Sequence, residues 1–199
     1  MDVNAKKAPI FLLLAISLAS TAVFASVFVY YPVSIAATPQ APPIIFSAGS
    51  NSNANDLRGQ QITVSISQAN TSLSITVHPT YQITYYKNIT VINNTDTSNS
   101  YYIAFRVNSA ASDTNLQSAN LIIKDSSGNQ IAIINLMSTG TSNWYQIPAG
   151  AHYSVDLSIT YSAGSNTYNQ APGSGSGFAA SLQLIYSPQS TESAPKPEV

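Results

Sequence analysis

The side chains that could carry out nucleophilic catalysis in this chain are its histidines, serines and aspartates. The two histidines, His78 and His152, fall in predicted strands among Ser and Asp residues, so a Ser/His/Asp triad can be drawn. No nucleophile elbow or other catalytic motif accompanies them. The chain has no cysteine and no paired histidines, and residues 125–129 favour a turn over a calcium loop. We therefore predict that the protein is not an enzyme and binds no metal, cofactor or small-molecule substrate.

Three Asn-x-Ser/Thr sequons, at Asn70, Asn88 and Asn93, predict a different chemistry, the attachment of N-linked glycans. Asn70 lies in a predicted hairpin loop and is the strongest of the three. Asn93 lies at the end of a predicted strand. Asn88 lies within a strand, where a glycan can be attached only on an outward face.

The composition limits the classes of partner. Only 8% of the residues are charged, against about 25% in a typical soluble domain, and the formal net charge is −1. The chain therefore offers no basic surface for nucleic acid, whose binding depends on neutralised phosphates. Without cysteines the fold cannot depend on disulfides, even outside the cell.

The segment 26–36 stands out because it is apolar and has the period of a strand. Val27, Val29, Tyr31, Val33 and Ile35 alternate, so an extended chain presents five large apolar side chains on one face. Pro32 has no backbone N–H, which favours an edge position. An edge strand with an apolar face requires a partner. We predict that this partner is a second copy of the protein. The alternatives are that the segment pairs within its own domain as a normal first strand, or that it is removed with the signal.

The residues before this segment resemble a secretion signal. Lys6 and Lys7 precede an apolar run that ends with Val23-Phe24-Ala25, and we predict cleavage after Ala25. A retained membrane anchor is the main alternative, because no charge occurs from Ala8 to Ala37. Processing between Lys7 and Ala8, as in a type IV pilin, is disfavoured by the prolines at 9 and 32.

The rest of the chain predicts an all-β fold. Residues 37–60 are interpreted as a linker with one short strand, 61–187 as a domain of eight to ten strands, and 188–199 as a disordered tail. The clearest strand alternates Tyr153, Val155, Leu157, Ile159 and Tyr161 with polar residues, which predicts one buried and one solvated face. The predicted architecture is an antiparallel β-sandwich of the immunoglobulin-like or jelly-roll kind.

Three stretches add a resemblance: 88–95 (NITVINNT), 101–107 (YYIAFRV) and 147–161 (IPAGAHYSVDLSITY). With the overall plan of signal, N-terminal strand, linker and uncharged sandwich, the chain resembles archaeal thread and bundling-pilus subunits, and more distantly biofilm fibre proteins of the TasA type. The resemblance implies donor-strand complementation, in which the N-terminal strand of one subunit completes the sandwich of its neighbour. It also implies N-glycosylation and isopeptide cross-links.

An isopeptide bond requires a lysine amine beside an Asn or Asp side-chain carbonyl and a neighbouring acid in an apolar setting. Lys87 and Lys124 are the lysines in predicted strands, so they are the candidates. Together these observations predict a secreted subunit of a cell-surface filament for adhesion or biofilm, whose partners are identical subunits in a head-to-tail homopolymer. The alternative is a monomeric binding domain held in the membrane by its N-terminal helix.

Overall fold

A computed structural model describes residues 12–14, 30–162, 177–191 and 193. The chain divides into two units, Met1–Gln40 and Ala41–Val199. In the first unit, residues 12–14 are helical and 30–40 have no regular secondary structure. Among the described residues, no helix is long and apolar enough to cross a membrane. The predicted signal lies outside the described residues apart from 12–14.

The second unit is built from antiparallel strands. In chain order they are β1 (Ile44–Ala48), β2 (Thr63–Ser67), β3 (Ser72–Thr76), β4 (Ile83–Asn94), β5 (Tyr101–Ser109), β6 (Leu116–Lys124), β7 (Gln130–Asn135), β8 (Gly140–Thr141), β9 (Tyr145–Ile147), β10 (His152–Tyr161) and β11 (Ser181–Ser187). One layer is a five-stranded sheet in the order β1-β4-β10-β6-β7. The other contains β11-β5-β8, with β9 also paired to β5, and a separate β2-β3 hairpin. The predicted all-β antiparallel sandwich is confirmed.

The core lies between these layers and is almost entirely aliphatic and aromatic. Ile89, Ile92 and Ile159 from the five-stranded sheet, and Ile103 and Ile147 from the facing layer, are fully buried. Alternation along β10 buries its odd-numbered residues, as the sequence predicts. Asp156, an even-numbered residue on the predicted solvated face, is only 1% exposed. The prediction was wrong at that position because three hydrogen-bond donors, from Lys124, Tyr85 and Asn88, converge on the Asp156 carboxylate.

Two further details differ from the prediction. β1 pairs with β4 through all five of its residues, so the sandwich begins at Ile44 rather than at residue 61, and the predicted linker contains a strand of the main sheet. The short strands β8 and β9 were not predicted, because two or three residues are too few to show alternation.

Strand directions define two ends of the sandwich. We call one end the lower end: β1 begins there and β4 ends there, because Ile44 pairs with Asn94. The Asn94 side chain donates to the Ile147 carbonyl at 3.4 Å, which places Ile147 at the same end. Because Ile147 pairs with Tyr101, β5 also begins at the lower end, and its antiparallel partner β11 finishes there. At the upper end β4 begins at Ile83 and β11 begins at Ser181.

An irregularity in β4 interrupts the regular strand pairing of the five-stranded sheet. Asn88 has a positive φ of 45°, and the β4–β10 register shifts between Val155 and Leu157. Gly49 packs directly on this backbone and donates its N–H to the Ile89 carbonyl at 3.3 Å. A Cβ at position 49 would overlap the Asn88 carbonyl, so only glycine fits there.

We expect Gly49→Ala to lower the free energy of unfolding by about 1–3 kcal/mol, because the backbone of β4 must move to admit the methyl group. Gly177→Ala is the matched control, since no heavy atom lies within 4 Å of a Cβ at that position. Denaturant unfolding followed by circular dichroism measures both. Equal stabilities of the two variants would contradict the close packing of Gly49.

Candidate functional site

The sandwich domain carries an apolar groove of about 870 Å³. One wall is the β3 strand and its continuation, residues 71–79, and the other is formed by residues 177–186 of β11 and the segment before it. Its floor is the five-stranded sheet, with Ile44 and Phe46 from β1 and Val155 and Leu157 from β10. We call this concavity the β3–β11 groove.

The groove walls carry apolar side chains that remain partly in contact with water. Half-buried side chains along the floor and the two walls are Phe46, Leu73, Ile75, Val77, Phe178, Ala180, Leu182 and Leu184. The lining residues include no Asp, Glu, Lys or Arg among those that the structure describes. A ligand that fills this groove must therefore be mainly apolar, because a buried charge would have no partner there.

Both walls also present strand edges without a ladder partner. Within the described parts of the chain, β3 pairs with β2 alone and β11 with β5 alone. The edges that face the groove therefore carry backbone N–H and C=O groups available to an added strand. An apolar trough between two open edges has the chemistry required to bind an extended peptide.

The structure describes three of the five predicted donor residues. Val27 and Val29 lie outside the described residues. Tyr31, Val33 and Ile35 are 82%, 80% and 88% exposed, and residues 30–36 form no strand. These apolar side chains are thus nearly bare, which is costly in water and favours burial against a partner.

The three sequons occupy different surroundings. Asn70 is exposed in the turn between β2 and β3, with a φ of 67°. The Asn88 side-chain amide donates to Ser50 Oγ at 3.0 Å, and that of Asn93 donates to Ser47 Oγ at 2.7 Å. The amide nitrogen to which a glycan would be joined is therefore engaged at Asn88 and Asn93.

The two candidate lysines also differ. Lys87 is exposed, and the ion pairs found among the described residues do not include it. Lys124 at the end of β6 reaches Asp156 of β10, with Nζ 2.8 Å from Oδ2. The Tyr85 hydroxyl donates to the same carboxylate oxygen at 2.5 Å, and the backbone N–H of Asn88 donates to Oδ1 at 2.6 Å.

Electrostatics make this cluster an ion pair. Burial alone would raise the pKa of Asp156, but the hydrogen bonds from Lys124, Tyr85 and Asn88 outweigh it and hold that pKa below its usual value. The hydrogen bond to Asp156 in turn raises the pKa of Lys124. Isopeptide bonding needs an uncharged amine, so these shifts oppose it at Lys124. Isopeptide bonding at either lysine stays a prediction.

The sequence did not single out Asp156 or Tyr85. Alternation along β10 does not reveal the β4 irregularity, at which Asn88 has a positive φ and donates its N–H to the Asp156 carboxylate. Among the described residues, no group of three or more His, Cys, Asp or Glu side chains could hold a metal ion. Comparison of the chain with protein-family models and with curated proteins finds no match. The inference of function therefore depends on the geometry of the groove.

We expect Asp156→Asn to lower the free energy of unfolding by about 3 kcal/mol, because it leaves Lys124 without its counter-charge beside a buried amide. This loss lies at the low end of the range for buried ion pairs, because the Lys124 side chain is 24% exposed. Asp113→Asn keeps a side-chain acceptor for the Asn115 N–H and serves as the control.

The same pair predicts a pH dependence. The pKa of Asp156 is lowered from its ordinary 3.8, so its contribution to stability is complete above that pH and is lost as the pH falls through the folded-state pKa. Unfolding curves between pH 2 and 7 should show a smaller acid-induced loss for Asp156→Asn than for the natural chain. Parallel losses in both proteins would contradict the assignment.

Proposed function

We propose that this protein is a structural subunit of an extracellular filament, assembled when residues 26–36 of one copy enter the β3–β11 groove of the next. The groove between two open strand edges is the single observation that carries the proposal. A strand placed there would join β11 to β3 and close the second layer of the sandwich over the core. The segment 26–36 provides the required apolar face and length.

The energetics favour such an insertion. Each large apolar side chain that becomes buried contributes about 1.5–3 kcal/mol, and segment 26–36 has five on one face. Backbone hydrogen bonds between the inserted strand and the free N–H and C=O groups of β3 and β11 would contribute further stabilisation. Desolvation of the half-buried groove residues contributes in the same direction. The contact joins unlike surfaces of two copies, so it can be repeated indefinitely as a head-to-tail polymer.

We expect a chain that lacks residues 26–36 to remain folded but to form no filaments, because the described residues that line the groove all lie after residue 40. A synthetic 26–36 peptide should then bind the truncated chain and raise its melting temperature. Electron microscopy and thermal unfolding measure the two effects.

The control peptide has Val29, Tyr31 and Val33 replaced by Ser, which removes three apolar side chains and keeps the backbone. It should raise the melting temperature much less. Filaments formed by the truncated chain would overturn strand donation. A truncated chain as stable as the full one, and indifferent to the peptide, would do the same.

We also propose that the filament surface is glycosylated, with Asn70 as the main site. The exposure of Asn70 and the hydrogen bonds that occupy Asn88 and Asn93 support this order. A glycan at the β2–β3 turn would cover a surface that has few charges to keep it soluble.

Glycopeptide mass spectrometry of the native protein should find Asn70 modified in most molecules. Asn70→Gln should remove most of the glycan mass, whereas the matched control Asn88→Gln should remove little. Full glycosylation of Asn88 or Asn93 together with an unmodified Asn70 would contradict the proposed order of glycan occupancy.

A further inference from the structure

The β2–β3 hairpin, which provides one wall of the β3–β11 groove, depends for its position on contacts outside the strand ladders. Among the described residues it is a two-stranded sheet of its own, with no ladder bonds to other strands. At its turn, the Phe46 N–H of β1 donates to the Asn70 carbonyl at 2.8 Å. At its opposite end, just after β3, the wall residue His78 lies beside Asp56. The contact between these two side chains therefore bears on where the wall stands.

Asp56 precedes the hairpin, and its side chain is only 5% exposed. Its Oδ1 atom accepts hydrogen bonds from the backbone N–H groups of Arg58 and Gln60, each at 2.9 Å. Its Oδ2 atom is buried and has no hydrogen-bond partner among the described residues. This atom lies 4.0 Å from Nδ1 of His78, whose side chain is 44% exposed. A buried acceptor without a donor is costly, so a donor placed on the neighbouring imidazole would stabilise the fold.

A third element contributes a hydroxyl to the same cluster. Tyr86 of β4 is buried, and within the part of the chain that the structure describes its hydroxyl has no hydrogen-bond partner. Burial raises the pKa of Tyr86, and the nearby charge of Asp56 raises it further, so the hydroxyl keeps its proton at neutral pH. Asp56, His78 and Tyr86 bring together the segment before the hairpin, the segment after it and the five-stranded sheet. We call these three residues the hairpin node.

Further titratable or charged groups border the hairpin node. Tyr161 of β10 is close enough to raise the pKa of Tyr86, and its own pKa is raised by burial and by the charge of Asp113. Arg58 is exposed, and the ion pairs found among the described residues do not include it. Histidine is the side chain that ordinarily changes charge between pH 5 and 8, so the charge of the node in this interval depends on His78.

We propose that the hairpin node is a proton-sensitive contact that fixes the β3 wall of the groove in mildly acidic surroundings. This inference rests on the proposed function and adds a form of regulation at the same groove. Protonation ensures an N–H at Nδ1 of His78 and adds a positive charge, while aspartate ordinarily stays ionised above pH 5.

The sign of the pH effect follows from when the two groups meet. His78 gains Asp56 as a counter-charge only in the folded chain. The stabilisation is therefore present at a pH below the histidine range and is lost as the pH rises through it. A fixed wall accepts a strand at a smaller entropic cost, so acid favours insertion.

The first measurement is the folding equilibrium at pH 5.5 and at pH 8, from denaturant unfolding of dilute full-length protein followed through its single tryptophan. Relative to His78→Gln, the folding constant of the natural chain should gain about two- to fivefold on going from pH 8 to pH 5.5, the range of partly exposed ion pairs. Asp56→Asn should also lose this gain, although its side-chain oxygen can still accept the two backbone N–H groups.

His152→Gln is the matched control, because it removes the other histidine of the chain and should keep the gain. A gain that survives His78→Gln, or that disappears in His152→Gln, would overturn the proton-sensitive contact. Greater stability of the natural chain at pH 8, relative to His78→Gln, would overturn it as well.

The second measurement connects the node to the groove through the fraction of full-length protein that sediments as filaments at the two pH values. Residues 26–36 contain no Asp, Glu, His, Lys or Arg, so the donor segment itself should not respond. We expect more filament at pH 5.5 for the natural chain and His152→Gln, and a smaller difference for His78→Gln.

The same pH response in His78→Gln and in the natural chain, including none in either, would overturn regulation of the groove by the node. Absence of filaments at both pH values would overturn the proposed function and, with it, this regulation. The unfolding measurement would still decide the proton-sensitive contact, so the two failures can be told apart.

Discussion

The arrangement on which the other features depend is that the unpaired edges of β3 and β11 border the same apolar surface, the β3–β11 groove. β3 and β11 each have one ladder partner among the described residues, and their other edges border the β3–β11 groove. Exposed backbone groups alone can be satisfied by water, and an apolar trough alone can bind many ligands. Together they select an extended apolar chain, because only that ligand satisfies both requirements.

Composition reinforces this selection. The groove lining carries no Asp, Glu, Lys or Arg among the described residues, so it presents no charge to the tyrosine and valine side chains of residues 26–36 in the proposed insertion. The side chains of Lys124 and Asp156 are not among the groove-lining residues, although Asp156 lies between the floor residues Val155 and Leu157. Their ion pair joins β6 to β10 within the five-stranded sheet that forms the floor of the groove.

Sequence reasoning recovers the fold better than the site. Alternation identifies β5 and β10, because their apolar residues recur every second position over seven or more residues. It identifies the apolar face of residues 26–36 for the same reason. It cannot identify the groove, since this depends on which strands are neighbours across the two layers. Asp156 was assigned to solvent because alternation carries no information about an irregularity on the adjacent strand.

The short connection between the donor segment and β1 links local sequence to the form of the assembly. A long flexible linker would allow Ala36 to reach either end of a neighbouring groove, and both closed dimers and open chains could form. Residues 37–43 contain three prolines, at positions 39, 42 and 43, which favour an extended and stiff backbone. Eight extended steps from Ala36 to Ile44 span at most roughly 29 Å. In the proposed filament, this connection therefore limits the distance between the sandwich that donates residues 26–36 and the sandwich that receives them.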